Sequence, residues 1–334
     1  MLAIFSEEGT PRGAATSQAK ARDFGFSARA DTIYQPSMNC PRLSTLWLLL
    51  SLLSSAPAQT PDAFTRTEDV VYGRKFGVAL TLDVIQPTGN SNGHGIIYIV
   101  SGGWVSSHEA VNPSGYAPFL DRGYTVFAVV HGCQPKFTIP EIAQDIHRAV
   151  RFIRYNAAKW GVDPDHLGIT GASAGGHLSL TMGTKGGPGL LAARDPIDRV
   201  SSAVQAVACF YPPADFLNYG KDGEDAVGVG TLQNYKNAFG PRSDTPEGRQ
   251  ELGKEISPIY FITPQMPPTL IVHGDADLLV PIQQAESFVQ RAKEAGVEAK
   301  LIVKPGAAHG WPDRRADLAA MADWFDAHLL PAKK

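Results

Sequence analysis

Gly171-Ala172-Ser173-Ala174-Gly175 follows the apolar run His166-Leu167-Gly168-Ile169-Thr170. A G-x-S-x-G pentapeptide between a strand and a helix lifts its serine onto a tight, strained turn. The neighbours two before and two after that serine must be small, and Gly171 and Gly175 are. Taken alone, the pentapeptide also fits an ordinary Gly/Ala-rich turn, so its partners decide. A serine hydroxyl needs a base, and the base needs a carboxylate to orient it. On this kind of elbow the chain order is Ser, then Asp or Glu, then His. Downstream of Ser173 stand His177, His273, His309 and His328. His309, in Gly306-Ala307-Ala308-His309-Gly310, follows the last apolar strand run and is the base the spacing selects. His177 lies one helical turn from Ser173 and suits bracing a loop. His273 ends a strand and suits local packing, and His328 belongs to the terminal helix.

The carboxylate comes from His273-Gly274-Asp275-Ala276-Asp277-Leu278-Leu279-Val280. Asp277 is favoured, because the apolar residues after it would anchor it. Asp275 is the alternative, and would otherwise hold the loop through backbone amides. Ser101-Gly102-Gly103-Trp104 follows an earlier strand. Consecutive glycines let amides approach a developing oxyanion without a Cβ in the way. The expected donors are Gly102, Gly103 and Ala174, the last at the head of the helix behind the serine. Trp104 and Tyr211 are expected to crowd the pocket and contact substrate. No grouping of His, Cys or carboxylates has metal-ligand spacing in the sequence, and the chemistry calls for no cofactor.

The elements that must position these residues alternate along the chain. Val78–Ile85 has period two and predicts an early antiparallel strand. The apolar runs 95–100, 124–130, 166–170, 204–210, 269–273 and 299–303 predict strands, most of them buried on both faces. Helices are expected over 116–122, from 139 through Trp160, after Ser173, over 282–295 and over 318–329. Such alternation implies an α/β domain over 66–330, a mostly parallel central sheet with helices on both faces. Residues 213–257 are polar, glycine-rich and weakly periodic, and are expected to form a small cap or lid insertion.

The chain has 334 residues, 43% hydrophobic and 19% charged, with a net charge of −3. That charge gives no electrostatic case for nucleic acid or an anionic membrane surface. Met38-Asn39-Cys40-Pro41-Arg42, the apolar run 43–53 and Ala56-Pro57-Ala58 have the order of a secretory signal. Residues 38–58 are therefore expected to be a signal peptide, residues 1–37 a non-native or disordered extension, and the mature protein secreted or periplasmic without stable membrane insertion. A membrane anchor is the alternative for the apolar run. Cys133 and Cys209 lie in or beside core runs and are expected to be free thiols.

The motifs together resemble the α/β-hydrolase superfamily of serine carboxylesterases. Within it the chain is similar to the secreted carbohydrate acetyl esterase/feruloyl esterase-like group and to hormone-sensitive-lipase-like esterases. The resemblance rests on 98–104, Trp160-Gly161-Val162-Asp163-Pro164, 171–177, His273-Gly274-Asp275-Ala276-Asp277 with Val280-Pro281, and His309-Gly310, and covers about 70–330. It implies a Ser173–His309–Asp277 triad cleaving short acyl or aryl esters, small molecules or groups such as acetyl or feruloyl on polysaccharide. One departure stands out. The family has His-Gly-Gly-Gly-Trp where this chain has Val100-Ser101-Gly102-Gly103-Trp104, so the bracing histidine is missing. The same machinery could serve an exopeptidase or arylformamidase. A binding protein that kept the fold without catalysis is the remaining alternative.

Overall fold

The computed structural model describes residues 63–331. The expected extension 1–37 and signal peptide 38–58 lie outside the described residues. The strands are β1 Phe64–Lys75, β2 Val78–Pro87, β3 Gly95–Ile99, β4 Thr125–Val129, β5 Leu167–Ala172, β6 Ala206–Phe210, β7 Thr269–Gly274 and β8 Ala299–Lys304. They form one sheet in the order β1-β2-β4-β3-β5-β6-β7-β8. β2 runs antiparallel to β1 and β4, and every later pairing is parallel. β1 has no strong sequence signal, because an edge strand half open to water carries charges such as Arg66, Glu68 and Asp69.

The helices are α1 Ala117–Leu120, α2 Ile139–Tyr155, α3 Ala174–Lys185, α4 Lys236–Phe239, α5 Pro246–Ile256, α6 Gln283–Glu294 and α7 Arg315–Leu329. α2 starts at a capping box, in which the Glu141 carboxylate accepts from the Thr138 amide and hydroxyl. It ends five residues before the expected boundary at Trp160. Asn156 leaves helical geometry, and a 3-10 turn over Ala157–Trp160 closes on the left-handed Gly161. The expected helix over 116–122 is a 3-10 turn, Pro113–Tyr116, running into the single turn of α1.

Alternation in the strands sorts the core into two layers. Leu167 and Ile169 of β5 share one layer with Ile97, Ile99, Phe127 and Val207, under α2, α3 and α6. Ile96, Val126, Ala206 and Val272 face the other, under α1 and α7. Gly168 is needed there, because a Cβ would sit 2.7 Å from the Phe325 ring of α7.

The insertion over 213–257 is fastened to this core. Phe216, Tyr219, Phe239, Leu252 and Ile256 are buried in the first layer. The buried Gln284 of α6 accepts from the amides of Ala214 and Asp215 and donates to the Asn218 carbonyl. Up to α4 and α5 the segment is held by short 3-10 turns and such side-chain bonds, and α5 is rich in charged residues, which is why the sequence there looks like a polar loop.

Register brings the site together. Ile99 pairs with Gly171, and Ala172 with Phe210. The loops leaving β3, β5, β6, β7 and β8 therefore emerge side by side at the carboxyl ends of the strands, where open α/β sheets bind ligands.

Candidate active site

Ser173 occupies the turn between β5 and α3 with φ 55° and ψ −120°. Such a conformation in a non-glycine residue stores on the order of 1–3 kcal/mol and needs the surroundings to hold it. The Ser173 amide donates to the Phe210 carbonyl at 3.0 Å, and its carbonyl accepts from His177 N at 2.9 Å. The flanking glycines are steric necessities. A Cβ on Gly171 would lie 2.6 Å from the Gly175 backbone, and one on Gly175 would lie 2.7 Å from the Ile99 carbonyl.

Ser173 Oγ lies 2.9 Å from His309 Nε2, and His309 Nδ1 lies 2.7 Å from Asp277 Oδ2. The other oxygen of Asp277 accepts from the amides of Leu279 and Val280, both at 2.9 Å. Burial alone would push this carboxyl up. Hydrogen bonds from His273, His309 and the Val280 amide outweigh burial and hold it well below the usual carboxylate range. A carboxylate held ionised in this way fixes Nδ1 as the protonated nitrogen of His309. Nε2 is then free to accept from the serine. Asp275 is exposed, and its carboxylate takes the Gly306 amide at 2.6 Å, tying the loop after β7 to the loop that carries His309. Leu278, expected to help anchor Asp277, points into water at 90% exposure; the anchors are the buried Val280 and the two amides.

The loop after β3 departs from expectation in one donor. Gly102 and Val105 exchange both backbone hydrogen bonds at 2.9 Å, so the Gly102 N–H is committed to the Val105 carbonyl. Among the described residues, no hydrogen bond takes up the amides of Gly103 or Ala174. Those two amides are left unengaged, one in the loop after β3 and the other at the first residue of α3. Gly103 has φ 55°, and a Cβ there would strike the Tyr235 ring at 2.5 Å.

Other groups brace this loop where Val100 stands in place of the family histidine. Ser106 Oγ donates to the Val100 carbonyl and accepts from the His131 amide. Gln134 Nε2 donates to the Gly103 carbonyl at 2.6 Å, and Gln134 N to the Trp104 carbonyl. Trp104 is part of this bracing and does not line an open pocket as expected. Its indole is 2% exposed, packs on Phe216, Tyr235 and Phe239, and donates from Nε1 to His177 Nδ1 at 3.2 Å. His177 Nε2 in turn donates to the Ile256 carbonyl. Burial, partly offset by that bond, lowers the His177 pKa to about 4, so it is a neutral strut between the loop and the end of α5. Sequence reasoning missed Ser106, Gln134 and Tyr235, whose partners lie far away along the chain and leave no local signal.

Tyr211, expected at the substrate, is the wall behind the base. Its ring lies 4.7 Å from the His309 ring and 5.6 Å from that of Trp311. His273 packs locally, donating from Nε2 to the Val280 carbonyl at 2.8 Å. Cys133 and Cys209 are free thiols. The fold also gathers Asp69, Asp83 and His108, which are distant in sequence. The Arg66 guanidinium donates to Asp83 Oδ2, and the Asp69 amide donates to Asp83 Oδ1, so this group is an arginine-centred ion-pair network.

A nucleophile elbow, a histidine bridging its serine to a buried carboxylate and two unengaged amides have the geometry that acyl transfer requires. The family model described as BD-FAE matches residues 82–292. The chain belongs to the BD-FAE family. The esterase LipC of Mycobacterium tuberculosis is 28% identical over 226 residues, covering 65% of this chain and 52% of that protein. The chain thus spans about half the length of the curated relatives it matches. Among solved structures, a truncated carbohydrate esterase from gut microbiota superposes with a TM-score of 0.68 at 28% identity, over 80% of this chain and 98% of that one. The butyrate-bound esterase Est2 of Thermogutta terrifontis gives 0.64 at 27% identity, over 82% and 97%. This BD-FAE chain has the α/β-hydrolase fold of those esterases.

Proposed function

We propose that the protein hydrolyses carboxylic esters with short acyl or small aryl groups, through an acyl-enzyme on Ser173. The observation that carries this reading is the unbroken chain from Ser173 Oγ through His309 to Asp277 on a strained elbow. His309 Nε2 takes the hydroxyl proton as Oγ bonds to the ester carbonyl carbon. The carbonyl oxygen becomes an oxyanion against the amides of Gly103 and Ala174. Collapse expels the alcohol, which receives the proton from His309. Water then repeats the sequence and releases the acid. Each preorganised donor in such a site contributes about 2.7–4 kcal/mol to lowering the barrier.

Short acyl groups are favoured by the closed space around the loop, where Tyr235 lies over Gly103 and the insertion is packed down on Trp104. The likeness to a carbohydrate esterase and to an esterase seen with butyrate supports the same substrate class, with acetyl groups on polysaccharide as the natural form. A panel of p-nitrophenyl esters beside aminoacyl anilides tests this. Acetate and butyrate esters turn over, palmitate turns over more slowly, and anilides are poor substrates. Faster turnover of palmitate than acetate, or of anilides than esters, overturns the assignment.

The run of residues 38–58 supports export to the periplasm or medium, and among the described residues no helix is long and apolar enough to cross a membrane. N-terminal sequencing of exported protein is expected to begin near Gln59. A mature start well upstream of Met38 would overturn this.

A further inference from the structure

Arg314 lies on the loop between His309 and α7, half-buried, with its guanidinium 5.5 Å from the Phe210 ring. Its Nη1 donates to the Tyr211 hydroxyl at 2.8 Å. Tyr211 in turn packs on the His309 ring. The guanidinium is therefore one aromatic ring away from the base of the triad. Part-buried Arg66, Arg148 and Arg249 are matched by the acids Asp83, Asp195 with Asp198, and Asp225, whereas Arg151 and Arg154 spend their N–H groups on backbone carbonyls. Among the described residues, no carboxylate pairs with Arg314. A cleft of about 810 Å³ is lined by Arg314 and Arg315 together with Ser114, Pro118 and the acids Asp121 and Asp313, none of which pairs with Arg314.

Placing an unpaired guanidinium against the Phe210 ring strips part of its hydration, and leaves it without the counter-ion that would offset the loss. One N–H is used on Tyr211, which fixes the plane of the group. The remaining donors keep the fork geometry that matches a carboxylate. A phenol partner orients the cation without neutralising it.

We propose that Arg314 is a specificity-determining residue that receives a carboxylate on the substrate, so that the preferred esters are anionic. This rests on the ester-hydrolase reading of the site. The carboxylate can belong to the alcohol half, as in an acylated acidic sugar, or to the acyl half, as in the half-ester of a dicarboxylic acid. The chemistry recognised is the same.

The test compares each anionic ester with its own methyl ester: p-nitrophenyl hemisuccinate for the acyl side, and meta-acetoxybenzoate for the alcohol side. The ratio of kcat/KM, anion over methyl ester, is measured for the wild type, Arg314→Leu and Arg314→Lys. The wild-type ratio is expected to exceed one in at least one pair. Arg314→Leu is expected to lower that ratio about tenfold, mostly through KM, with Arg314→Lys recovering part of it. The pair that responds identifies which half carries the carboxylate. An unchanged ratio in both pairs overturns the proposal while leaving the esterase reading intact. Failure of the wild type to turn over either methyl ester overturns both. If Arg314→Leu does not fold, competitive inhibition of the wild type decides: benzoate is expected to bind more tightly than benzamide, and equal inhibition overturns the proposal.

Discussion

Ser173→Ala is expected to lower kcat by about 10⁴-fold or more while the thermal midpoint moves by no more than a few degrees. The two halves of that result come from different atoms. Catalysis is lost with Oγ, the atom that attacks and whose proton His309 Nε2 accepts across 2.9 Å. At about 1.36 kcal/mol per tenfold, the loss corresponds to roughly 5.5 kcal/mol of transition-state stabilisation. Stability is nearly kept because Ala retains the Cβ. The positive φ at residue 173 is equally strained with either side chain, and the backbone bonds to Phe210 and His177 remain. What folding loses is one part-buried hydrogen bond, about 1 kcal/mol. A fluorophosphonate probe gives the independent readout: it labels the folded wild type and not the variant. Failure to label the wild type would favour a binding protein that kept the fold, and full retention of turnover in Ser173→Ala would remove the nucleophile assignment.

The parts of this site that are legible in the sequence are those where backbone geometry demands particular residue types. Only small residues fit at Gly171 and Gly175, because the carbonyls they touch lie within 2.7 Å of where a Cβ would be, so the elbow is written locally. His309 and Asp277 are legible for a related reason. Asp277 follows the buried β7 and His309 follows the edge strand β8 with its Leu301-Ile302-Val303 run, and parallel pairing of β5 through β8 sends both loops out at the same end of the sheet. What the sequence conceals is pairing between loops. Nothing around Gly102 indicates that its amide turns to Val105, and nothing around Gln134 indicates that it will hold the Gly103 carbonyl. The missing histidine at Val100 looks like a weakened loop until Ser106, Gln134 and the Trp104–His177 pair are seen bracing it from three directions. The insertion was misleading in the same way. Its polar, glycine-rich sequence suggests a small cap or lid, but Gln284 satisfies its backbone from outside, Ser257 does so from its own far end, and five of its aromatic and aliphatic side chains named above reach the core.

Asp277→Asn is expected to cost about 10⁴-fold in kcat, whereas Asp275→Asn costs little activity, although the two residues share one loop. The hydrogen bonds explain the difference. Asp277 Oδ1 accepts from the amides of Leu279 and Val280, both fixed donors. An asparagine must keep its carbonyl oxygen there, which turns its NH₂ toward His309 Nδ1. Nδ1 must then accept, the proton moves to Nε2, and the nitrogen facing Ser173 Oγ can no longer take the serine's proton. The variant is thus held in the wrong tautomer with its geometry almost unchanged. Asp275 has one amide partner, Gly306, and Asn can accept that bond equally well. pH separates the two further. The folded carboxyl of Asp277 is held below its ordinary value, so its ionisation stabilises the fold fully above the unfolded value, near pH 4, and that contribution declines as pH falls below it. The gap in thermal midpoint between wild type and Asp277→Asn should therefore narrow on acidification through that range. The acid limb of the activity profile should not track Asp277, which is still ionised there. A larger activity loss in Asp275→Asn would exchange the two roles, and would require the loop to rearrange so that an exposed carboxylate reaches His309.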